Sequence, residues 1–452
     1  MTLLGFAPGL PPNTPGAVVD GYGFYPTLRG LKASYGWREV QELYNPLTYG
    51  VAVEALMVAS DEMIVCTTTH VLRLYYALSI TITDITPSGY IADNVINLNR
   101  FGNYIILAAL NNSWSRLANS AAAWTALGVQ QDVSFAHGFY HVRTVDGEWF
   151  TSDIGDPTDW TIGSGSQAQS GTFPDTDGDV IDGGSLGQYA VLYKNNGIWL
   201  GQNVGPPLYW DWQKVPSGDG CRFKRSLIAL KDAHYYIGED DIYAFNLGRP
   251  QSIGQPVKDW LLRTLYRSLE RVKVVYEPTN ELLCWFLGGY FGQPYSYVLT
   301  YHVPSGRFGL DLTDAETPVK TQVYWGSHQH FLGGIDWVSP RMYKIVAGKL
   351  YIQNAESTGS KLVFAQYGQA DQDTQVNRVR MLYSTTPVTA TCTHDVRERL
   401  DDTPVKSQSN YSQDGKHDFH AVGRWHQDTV EMGGMWELLD AGPAYPKGAG
   451  KR

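Results

Sequence analysis

The stretch FYHVRTVDGEWFT, residues 139–151, indicates the fold more directly than any other part of the chain. Two runs of β-branched and aromatic residues, 139–144 and 148–151, flank the dipeptide Asp146-Gly147. An Asp-Gly pair readily adopts the positive φ angles of a two-residue hairpin turn. The pattern therefore predicts a tight β-hairpin, and similar pairs of short apolar runs follow one another from about residue 51.

These hairpins recur at a spacing that favours one architecture. Their first turns fall near residues 61, 101, 138, 186, 231 and 277, about 37 to 48 residues apart. That is the period of a four-stranded propeller blade, whereas sandwich strands recur about every 8 to 12 residues. Further hairpin turns are predicted at Asn195-Asn196-Gly197, expected to supply positive φ, and at Pro304-Ser305-Gly306 and Ala347-Gly348-Lys349. We expect an all-β fold with a propeller-like body; another all-β arrangement is the alternative.

Composition excludes several classes of protein. Charged residues make up 18% of the 452 residues, the net charge is −10, and there are 14 Trp and 29 Tyr. Such a chain is neither disordered nor a coiled coil, and it lacks the basic surface of a nucleic-acid-binding domain. It must bury a large core. Low charge and mild acidity argue against tight adhesion to phosphates.

Targeting and redox signals are weak. Every apolar stretch is interrupted before about 18 residues, so we expect no transmembrane helix. Residues 1–28 contain no Lys or Arg and several prolines, which argues against a signal peptide. The four cysteines form no CxxC pair and are expected to be free, mostly buried thiols in a protein made in a reducing cytosol: Cys66, Cys221, Cys284 and Cys392.

The sequence divides into four predicted parts. Residues 1–45 form an extended, Pro- and Gly-rich N-terminal arm that must dock on something to be ordered, and residues 46–360 form the propeller-like body. Residues 361–445 form a C-terminal β segment that packs on the body, and residues 446–452 form a mobile basic tail. Alternation in 424–436 predicts late strands.

One amphipathic helix is predicted within the body, at about 254–273. Its apolar face consists of residues at i, i+3 and i+4 spacing: Val257, Trp260, Leu261, Leu265, Leu269 and Val272. Another face carries Arg263, Arg267 and Arg271. These arginines are either an ordinary solvated flank or a basic stripe that meets an acidic neighbouring subunit or passing phosphates.

Catalytic and metal-binding motifs fit poorly. Gly183-Gly184-Ser185-Leu186-Gly187 matches the G-x-S-x-G pattern of nucleophilic serines, but an acidic loop precedes it and a strand-like run follows, so a Gly-rich loop that opens a blade is favoured. The acidic residues Asp175, Asp177, Asp179 and Asp182 do not follow the EF-hand order, which favours a solvated turn.

The possible metal sites and the Asp-box-like turn also match their motifs only in part. The close pairs of possible metal ligands lack the second pair that a closed zinc site requires: His328 with His330, His417 with His420, and Cys392 with His394. Residues 152–160 resemble the Asp-box turn of sialidase-like propellers, although the spacing of the Ser, Asp, Gly and Trp residues differs. The Asp box is a structural turn even in sialidases, so the resemblance does not predict a catalytic residue. We therefore expect no catalytic residue, no cofactor and no metal.

Several segments resemble a known family, the tail nozzle proteins of short-tailed bacteriophages, also called packaged-DNA stabilisation or tail tubular proteins. The resemblance lies in segments that keep the family's order: PPNTPGAVVDGYGFYPTLRGLKA (11–33), GEWFTSDIGDPTDW (147–160), LGQYAVLYKNNGIWL (186–200), GCRFKRSLIALKDAHYYIGEDDIYAFN (220–246), IGQPVKDWLL (253–262) and GRWHQDTVEMGGMWEL (423–438). The acidic stretch 165–184 and the His-rich stretch 326–337 depart from the family pattern.

This resemblance implies a virion protein that is assembled in the host cytoplasm. It implies a homo-hexameric ring below the tail adaptor that retains packaged double-stranded DNA, conducts it at ejection without reading its sequence, and anchors fibres or spikes. Pro12, Pro15 and Pro26 of the arm, with Arg263, Arg267 and Arg271, are expected to contact a neighbouring subunit or DNA. The alternatives are a carbohydrate-active propeller enzyme and a fibre-docking propeller module that has no channel.

Overall fold

The computed structural model describes most of the chain: residues 3–59, 61–76, 79–118, 123–163, 165–216, 218–265, 272–287, 297–312, 323–326, 341–346, 348–355, 357, 359–443 and 447–448. Nearly all regular structure in this part is β. The first five strands are short and precede a one-turn helix, α1 (Pro46–Tyr49): β1 (Gly5–Phe6), β2 (Ala17–Tyr22), β3 (Phe24–Pro26), β4 (Leu31–Ala33) and β5 (Gly36–Glu42).

The next strands form antiparallel groups of four, here named blades 1 to 4. Blade 1 consists of β6 (Ala52–Ala59), β7 (Glu62–Thr67), β8 (Val71–Tyr76) and β9 (Ile80–Asp84). Blade 2 consists of β10 (Val95–Phe101), β11 (Tyr104–Ala109), β12 (Trp114–Leu117) and β13 (Thr125–Ala126). Blade 3 consists of β14 (Val133–His137), β15 (Tyr140–Val145), β16 (Glu148–Thr151) and β17 (Gln169–Thr172). Blade 4 consists of β18 (Val180–Leu186), β19 (Tyr189–Lys194), β20 (Gly197–Asn203) and β21 (Trp210–Lys214). Short 3₁₀ turns, Ala92–Asn94 and Asp175–Asp177, precede β10 and β18.

Three further blades follow. Blade 5 consists of β22 (Ile228–Ala229), β23 (His234–Ile237), β24 (Ile242–Phe245) and β25 (Gln251–Ser252), and it is followed by helix α2 (Lys258–Leu265). Blade 6 consists of β26 (Val272–Glu277), β27 (Leu282–Leu287), β28 (Tyr297–His302) and β29 (Arg307–Leu312). Blade 7 consists of β30 (Val323–Gly326), β31 (Arg341–Val346), β32 (Lys349–Ala355) and, from the N-terminus, β5.

The seven blades form a closed ring. The first strands of successive blades contact one another from β6 through β30. Blade 7 packs back on blade 1, where Ile345 and Leu350 share a buried cluster with Val65 and Leu72. The described residues between 36 and 355 therefore contain a seven-bladed β-propeller. The hairpins expected from the sequence near 61, 101, 138, 186, 231 and 277 are the first hairpins of blades 1 to 6.

Two glycines of the G-x-S-x-G stretch show why blade 4 fits between its neighbours. A Cβ on Gly183 would lie 2.6 Å from the ring of Phe135 in blade 3, and one on Gly184 would lie 2.7 Å from Ala229 in blade 5. Both glycines lie within β18, so the expectation of a Gly-rich loop is wrong. Close packing of three inner strands requires residues without side chains here.

The last strands build a second module: β33 (Ser360–Phe364), β34 (Tyr367–Gly368), β35 (Thr374–Thr385), β36 (Thr389–Arg397), β37 (Lys406–Tyr411), β38 (Lys416–Gly423), β39 (Trp425–Gly433), β40 (Glu437–Pro443) and β41 (Lys447–Gly448). One sheet runs β37-β36-β39-β33-β2-β1, and the other runs β38-β35-β40-β4-β3. The two sheets share one core, and β1 and β3 both pair with β29. Both chain ends thus form one β-sandwich that is fused to blade 6.

The arm differs from the expectation in where it docks. Its residues Leu3, Phe6, Val18, Phe24 and Leu31 are at most 1% exposed and belong to the main hydrophobic core. Proline and glycine prevent this segment from forming a core alone, so it completes one with blade 6 and the C-terminal strands of the same chain. The arm is therefore ordered by its own chain, and the expected contact of its prolines with a neighbouring subunit is not needed for that.

Domain boundaries shift for the same reason. Residues 36–42, placed in the arm by the sequence, are the outer strand of blade 7, so the body begins ten residues before residue 46. Within the expected mobile tail, Lys447 and Gly448 pair with Gln375 and Thr374. The tail is therefore attached to the sandwich at that point.

The helix and one turn also require correction. Helix α2 ends at Leu265 in the described chain, and Val272 already belongs to β26, because the inner strand of blade 6 must begin there. Val257 and Leu261 are fully buried as expected, whereas Leu269 lies outside the described residues. Asn195 and Asn196 connect Lys194 to Gly197 without positive φ; the Asn195 side-chain Oδ1 instead accepts a bond from Asp179 N at 2.9 Å.

We predict that Phe24→Ala lowers the free energy of unfolding by about 3 to 5 kcal/mol, because it removes a fully buried ring from the core between the two sheets. Leu28→Ala is the matched control in the same arm, since Leu28 is 69% exposed and its loss should cost less than about 0.5 kcal/mol. Urea unfolding of the isolated protein measures both. Equal midpoints for the two variants would contradict docking of the arm on its own chain.

Candidate functional site

The axis of the propeller carries a network of charged groups where the inner strands begin. Arg225 lies in the connection between blades 4 and 5, and its N–H donates to Asp182 Oδ2 of β18 at 3.1 Å. Its Nη2 donates to the carbonyl oxygen of Ile96 in blade 2 at 2.9 Å, and its own carbonyl accepts from Val274 N in blade 6 at 3.1 Å. One residue therefore links three blades across the ring.

Arg225 adopts this position at a conformational cost. Its φ is +66°, a region that residues with a side chain rarely occupy. Such strain costs on the order of 1 to 3 kcal/mol and persists only where the surroundings hold it. Here the surroundings are the three blades to which Arg225 is hydrogen-bonded.

A second pair spans the axis beside Arg225. Lys273 Nζ of β26 lies 3.4 Å from Glu54 Oε1 of β6, which joins blade 6 to blade 1. Loss of water lowers the pKa of Lys273, while Glu54 acts in the opposite direction. Because the Glu54 side chain is only 7% exposed, this pair is better shielded than a surface ion pair.

Asp182 is the group whose ionisation is most perturbed in this network. Burial raises its pKa to about 6, and hydrogen bonds from the N–H groups of Gly183 and Arg225, with the charges of Arg225 and Lys224, oppose that rise. Together, Arg225, Asp182, Lys273 and Glu54 cross the axis, and we name them the axial network. The axial network closes the path through the middle of the propeller at this end.

The axial network was missed by sequence reasoning. Its members are spread over more than 200 residues, from Glu54 to Lys273, and no spacing relates them. The available signal is a single charge inside an apolar strand, as in Val272-Lys273-Val274-Val275. Such a charge must find a partner within the fold.

Of the six residues expected to contact a subunit or DNA, four belong to the described part of the chain, and these four differ in exposure. Arg263 is exposed on α2, where its Nε donates to Asp259 O at 3.0 Å, and Pro15 is also exposed. Pro12 is partly buried, and Pro26 is buried in β3, inside the chain. Arg267 and Arg271 lie outside the described residues. The predicted contact role stays a prediction for all six.

Ser185 has a histidine partner but not the backbone of a nucleophile. Its Oγ lies 2.7 Å from His137 Nδ1, and its carbonyl lies 3.1 Å from His234 Nε2. Ser185 is within a regular strand, whereas the G-x-S-x-G motif presents its serine on a sharp strand-to-helix turn. These bonds join blades 3, 4 and 5, which gives both histidines a structural role.

The acidic loop before blade 4 is not simply solvated. The carboxylate of Asp177 is 5% exposed, accepts from Trp199 Nε1 at 3.0 Å, and pairs with Lys214 Nζ at 2.5 Å. Asp182 belongs to the axial network. The expectation of a solvated acidic turn is therefore wrong for these two residues, because each has a partner inside the fold.

The remaining candidates are the histidines and cysteines that were considered as metal ligands. His394 Nδ1 lies 2.7 Å from Asp428 Oδ1 and its Nε2 lies 3.0 Å from His426 Nδ1, inside the sandwich. His417 is buried and His420 is exposed, while His328 and His330 lie outside the described residues. Among the described residues, no group of three or more His, Cys, Asp or Glu side chains is placed to hold a metal ion. All four cysteines are free and buried, as expected.

The turn that resembles an Asp box connects the third and fourth strands of blade 3. Asp153 N donates to Asp159 O at 2.8 Å, and Asp153 Oδ1 accepts from Gln167 N at 2.7 Å. The ring of Trp160 lies 4.7 Å from the guanidinium of Arg143, a buried cation–π contact. The turn thus anchors a long loop.

In the described part of the chain, neither helix is long and apolar enough to cross a membrane.

Comparison with known proteins gives structural likeness only. No protein-family model matches the chain, and no curated protein sequence matches it. A streptogramin B lyase structure has a TM-score of 0.46 and 9% identity over 71% of this chain and 97% of its own. Virginiamycin B lyase from Staphylococcus aureus has a TM-score of 0.45, 9% identity, and coverage of 70% and 98%. The WD40 domain of Neurospora crassa Pan2 has a TM-score of 0.42, 7% identity, and coverage of 71% and 95%. At these values no activity is carried over to this chain.

We predict that the stability difference between the wild type and Asp182→Asn depends on pH. An unfolded aspartate has a pKa near 3.9, so the folded protein, with Asp182 at about 6, binds the extra proton between these values. The contribution of Asp182 should therefore favour folding below about pH 4 and be lost as the pH rises through 6, by about 2 to 3 kcal/mol. Urea unfolding at pH 4.5 and 7.5 measures this. A difference that is the same at both pH values would contradict the raised pKa of Asp182.

Proposed function

We propose that this protein is a structural subunit of the tail nozzle of a short-tailed bacteriophage. In this proposal a ring of copies, six if the family pattern holds, retains packaged double-stranded DNA, conducts it at ejection and anchors fibres or spikes. The tail adaptor is the neighbour above the ring. The proposal is carried by the segments that resemble that family and keep its order, from residue 11 to residue 438.

The axial network determines where DNA could pass. Side chains that bond across the middle of the propeller leave no room for a duplex along its axis. A conduit made from this chain must therefore have its lumen between copies. That requirement favours an oligomer, because the axis of the described propeller offers no channel wide enough for a duplex.

The charge of the chain suits passage of DNA without adhesion. Affinity for duplex DNA comes mainly from Lys and Arg that neutralise phosphates and release counterions. This chain carries 35 Lys and Arg against 45 Asp and Glu. A wall of this balance repels phosphates at short range, within about 10 Å at 0.1 M salt, and allows the duplex to slide.

The described groups also support a structural role rather than catalysis. The Ser185 and His137 pair, the His394 cluster and the acidic groups of blade 4 each bond other parts of the fold. In this proposal they hold blades and sheets together, and the protein acts in the virion without a cofactor.

A fibre-docking propeller module is the second candidate. The closed axis is compatible with it, because a module that only binds a partner needs no channel. A carbohydrate-active propeller enzyme is the third candidate, and it is motivated by the Asp-box-like turn of blade 3. Release of oligosaccharide from host surface polysaccharide, lost on substitution of a single carboxylate, would favour the enzyme over both structural roles.

We predict that the purified protein assembles into rings, and that those rings bind plain duplex DNA weakly at physiological salt. Native mass spectrometry gives the number of copies, and negative-stain electron microscopy shows whether a lumen is present. Bovine serum albumin serves as the acidic, non-binding control in the DNA measurement. A protein that stays monomeric at all concentrations and is absent from virions would contradict the proposal; a ring with no lumen would favour the docking module.

A further inference from the structure

Two histidines and an aspartate lie side by side inside the sandwich, here named the sandwich triad: His394, His426 and Asp428. His394 of β36 is directly opposite Asp428 of β39, and His426 precedes Asp428 by two residues on the same strand. Side chains two residues apart on a strand point to the same face, so all three face the core between the two sheets. Both histidines are fully buried, and the Asp428 side chain is only 3% exposed.

Three hydrogen-bonded links connect the sandwich triad to both sheets. His394 Nδ1 lies 2.7 Å from Asp428 Oδ1, and His394 Nε2 lies 3.0 Å from His426 Nδ1. His426 Nε2 lies 3.1 Å from each of two carbonyl oxygens, those of Thr374 in β35 and Gly423 in β38. The triad belongs to the sheet that contains β36 and β39, whereas β35 and β38 belong to the other sheet. The links therefore join the two sheets.

The number of protons in the sandwich triad follows from its acceptors. A carbonyl oxygen can only accept, so His426 Nε2 must carry a proton and donate it. The link between the two histidines needs a second proton, and the link between His394 and Asp428 needs a third. Two neutral imidazoles have one N–H each, and a carboxylate has none. The three links therefore require one proton more than two neutral histidines and an ionised aspartate supply.

Asp428 determines where the third proton resides. The unperturbed pKa of a carboxyl is near 3.9 and that of an imidazole near 6.5, which favours the proton on a histidine. Burial lowers the pKa of His426, and the neighbouring His394 lowers it further. His394 contacts the carboxylate directly, and the 2.7 Å distance is typical of a bond between two charged groups. A positive charge is therefore best placed on His394.

The charge of Asp428 leads to the same conclusion. In the described part of the chain, the ion pair of Asp428 is formed with His394 and not with a Lys or Arg. A carboxylate that is buried without a cationic partner is strongly disfavoured. A protonated His394 supplies that partner.

We propose that His394 is an imidazolium ion at neutral pH and that its proton locks the two sheets of the sandwich together. Removal of this proton leaves one of the three links without a hydrogen, so two acceptors then face each other inside the core. The lock is therefore sensitive to base. It is independent of the proposed nozzle, because it operates within a single copy.

The other titratable groups beside the triad do not titrate in the same range. Tyr367 stacks on the ring of His426 at 5.6 Å, and Cys392 lies two residues before the first histidine of the triad on β36. Burial raises the pKa of both groups well above their usual values, and the charge of Asp428 adds to this. Burial lowers the pKa of His417 of β38, so that group is neutral above pH 6.5. A change in the folded protein just above that pH thus reports on the triad.

NMR of the whole protein labelled with 15N-histidine tests the lock without unfolding it. At pH 7.5 both ring nitrogens of His394 should carry a proton, and His394→Gln assigns the signals. Asp428→Asn keeps an oxygen that can accept the bond but removes the charge, so His394 should lose one proton in this variant. His420→Gln changes an exposed histidine and should leave the His394 signals unchanged.

Urea unfolding gives a second measurement. An unfolded histidine releases its proton near pH 6.5, so a folded state that keeps this proton loses stability as the pH rises further. The ratio of the folding constants of the wild type and Asp428→Asn should fall by up to about tenfold per pH unit above pH 6.5, until the folded triad releases its proton. His420→Gln should follow the wild type. A His394 with a single ring proton in the wild type at pH 7.5, or a ratio that is the same at pH 6.5 and 9, would overturn the inference.

Discussion

Pairing of Gly36–Glu42 with Lys349–Ala355 is the interaction on which the rest of the structure depends. These strands are more than 300 residues apart, so blade 7 is complete only when both ends of the propeller have met. Closure of the ring removes the free edge that an open row of blades would leave. Because loop-closure entropy opposes such distant pairing, the buried clusters between neighbouring blades must help to offset it.

Ring closure also determines where the chain ends go. Strand β5 leaves the N-terminal arm beside blades 6 and 7, and the chain leaves blade 7 at Ala355, on the neighbouring strand. Both ends therefore start from one place, and they pair with each other and with β29 to form the sandwich. This explains how an arm with too few apolar residues for a core of its own is nevertheless buried.

Sequence reasoning predicted the repeating unit because its signals are local. Asp146 and Gly147 have positive φ as their types suggest, and each first hairpin of blades 1 to 6 follows from apolar runs around a turn. Three other features depend on residues that are far apart in sequence: ring closure by β5, the docking site of the arm and the axial network. In the axial network, for example, Glu54 pairs with Lys273. Local patterns also misplaced the end of α2, since Val272 suits a helix face and a strand equally well. Of the six candidate contact residues, Arg267 and Arg271 lie outside the described residues, and the other four range from Pro26, buried in β3, to Arg263, exposed on α2.

The propeller is a closed body whose inner strands are bonded to one another across its axis, and in the proposed nozzle the channel lies between copies. Cryo-electron microscopy of the assembled particle with its DNA tests this directly. If the proposed function is right, we expect several copies of this chain around a common lumen, with DNA density in that lumen and none along the axis of any propeller. Density for DNA running through the centre of a single propeller, between Arg225 and the carbonyl oxygen of Ile96, would contradict it.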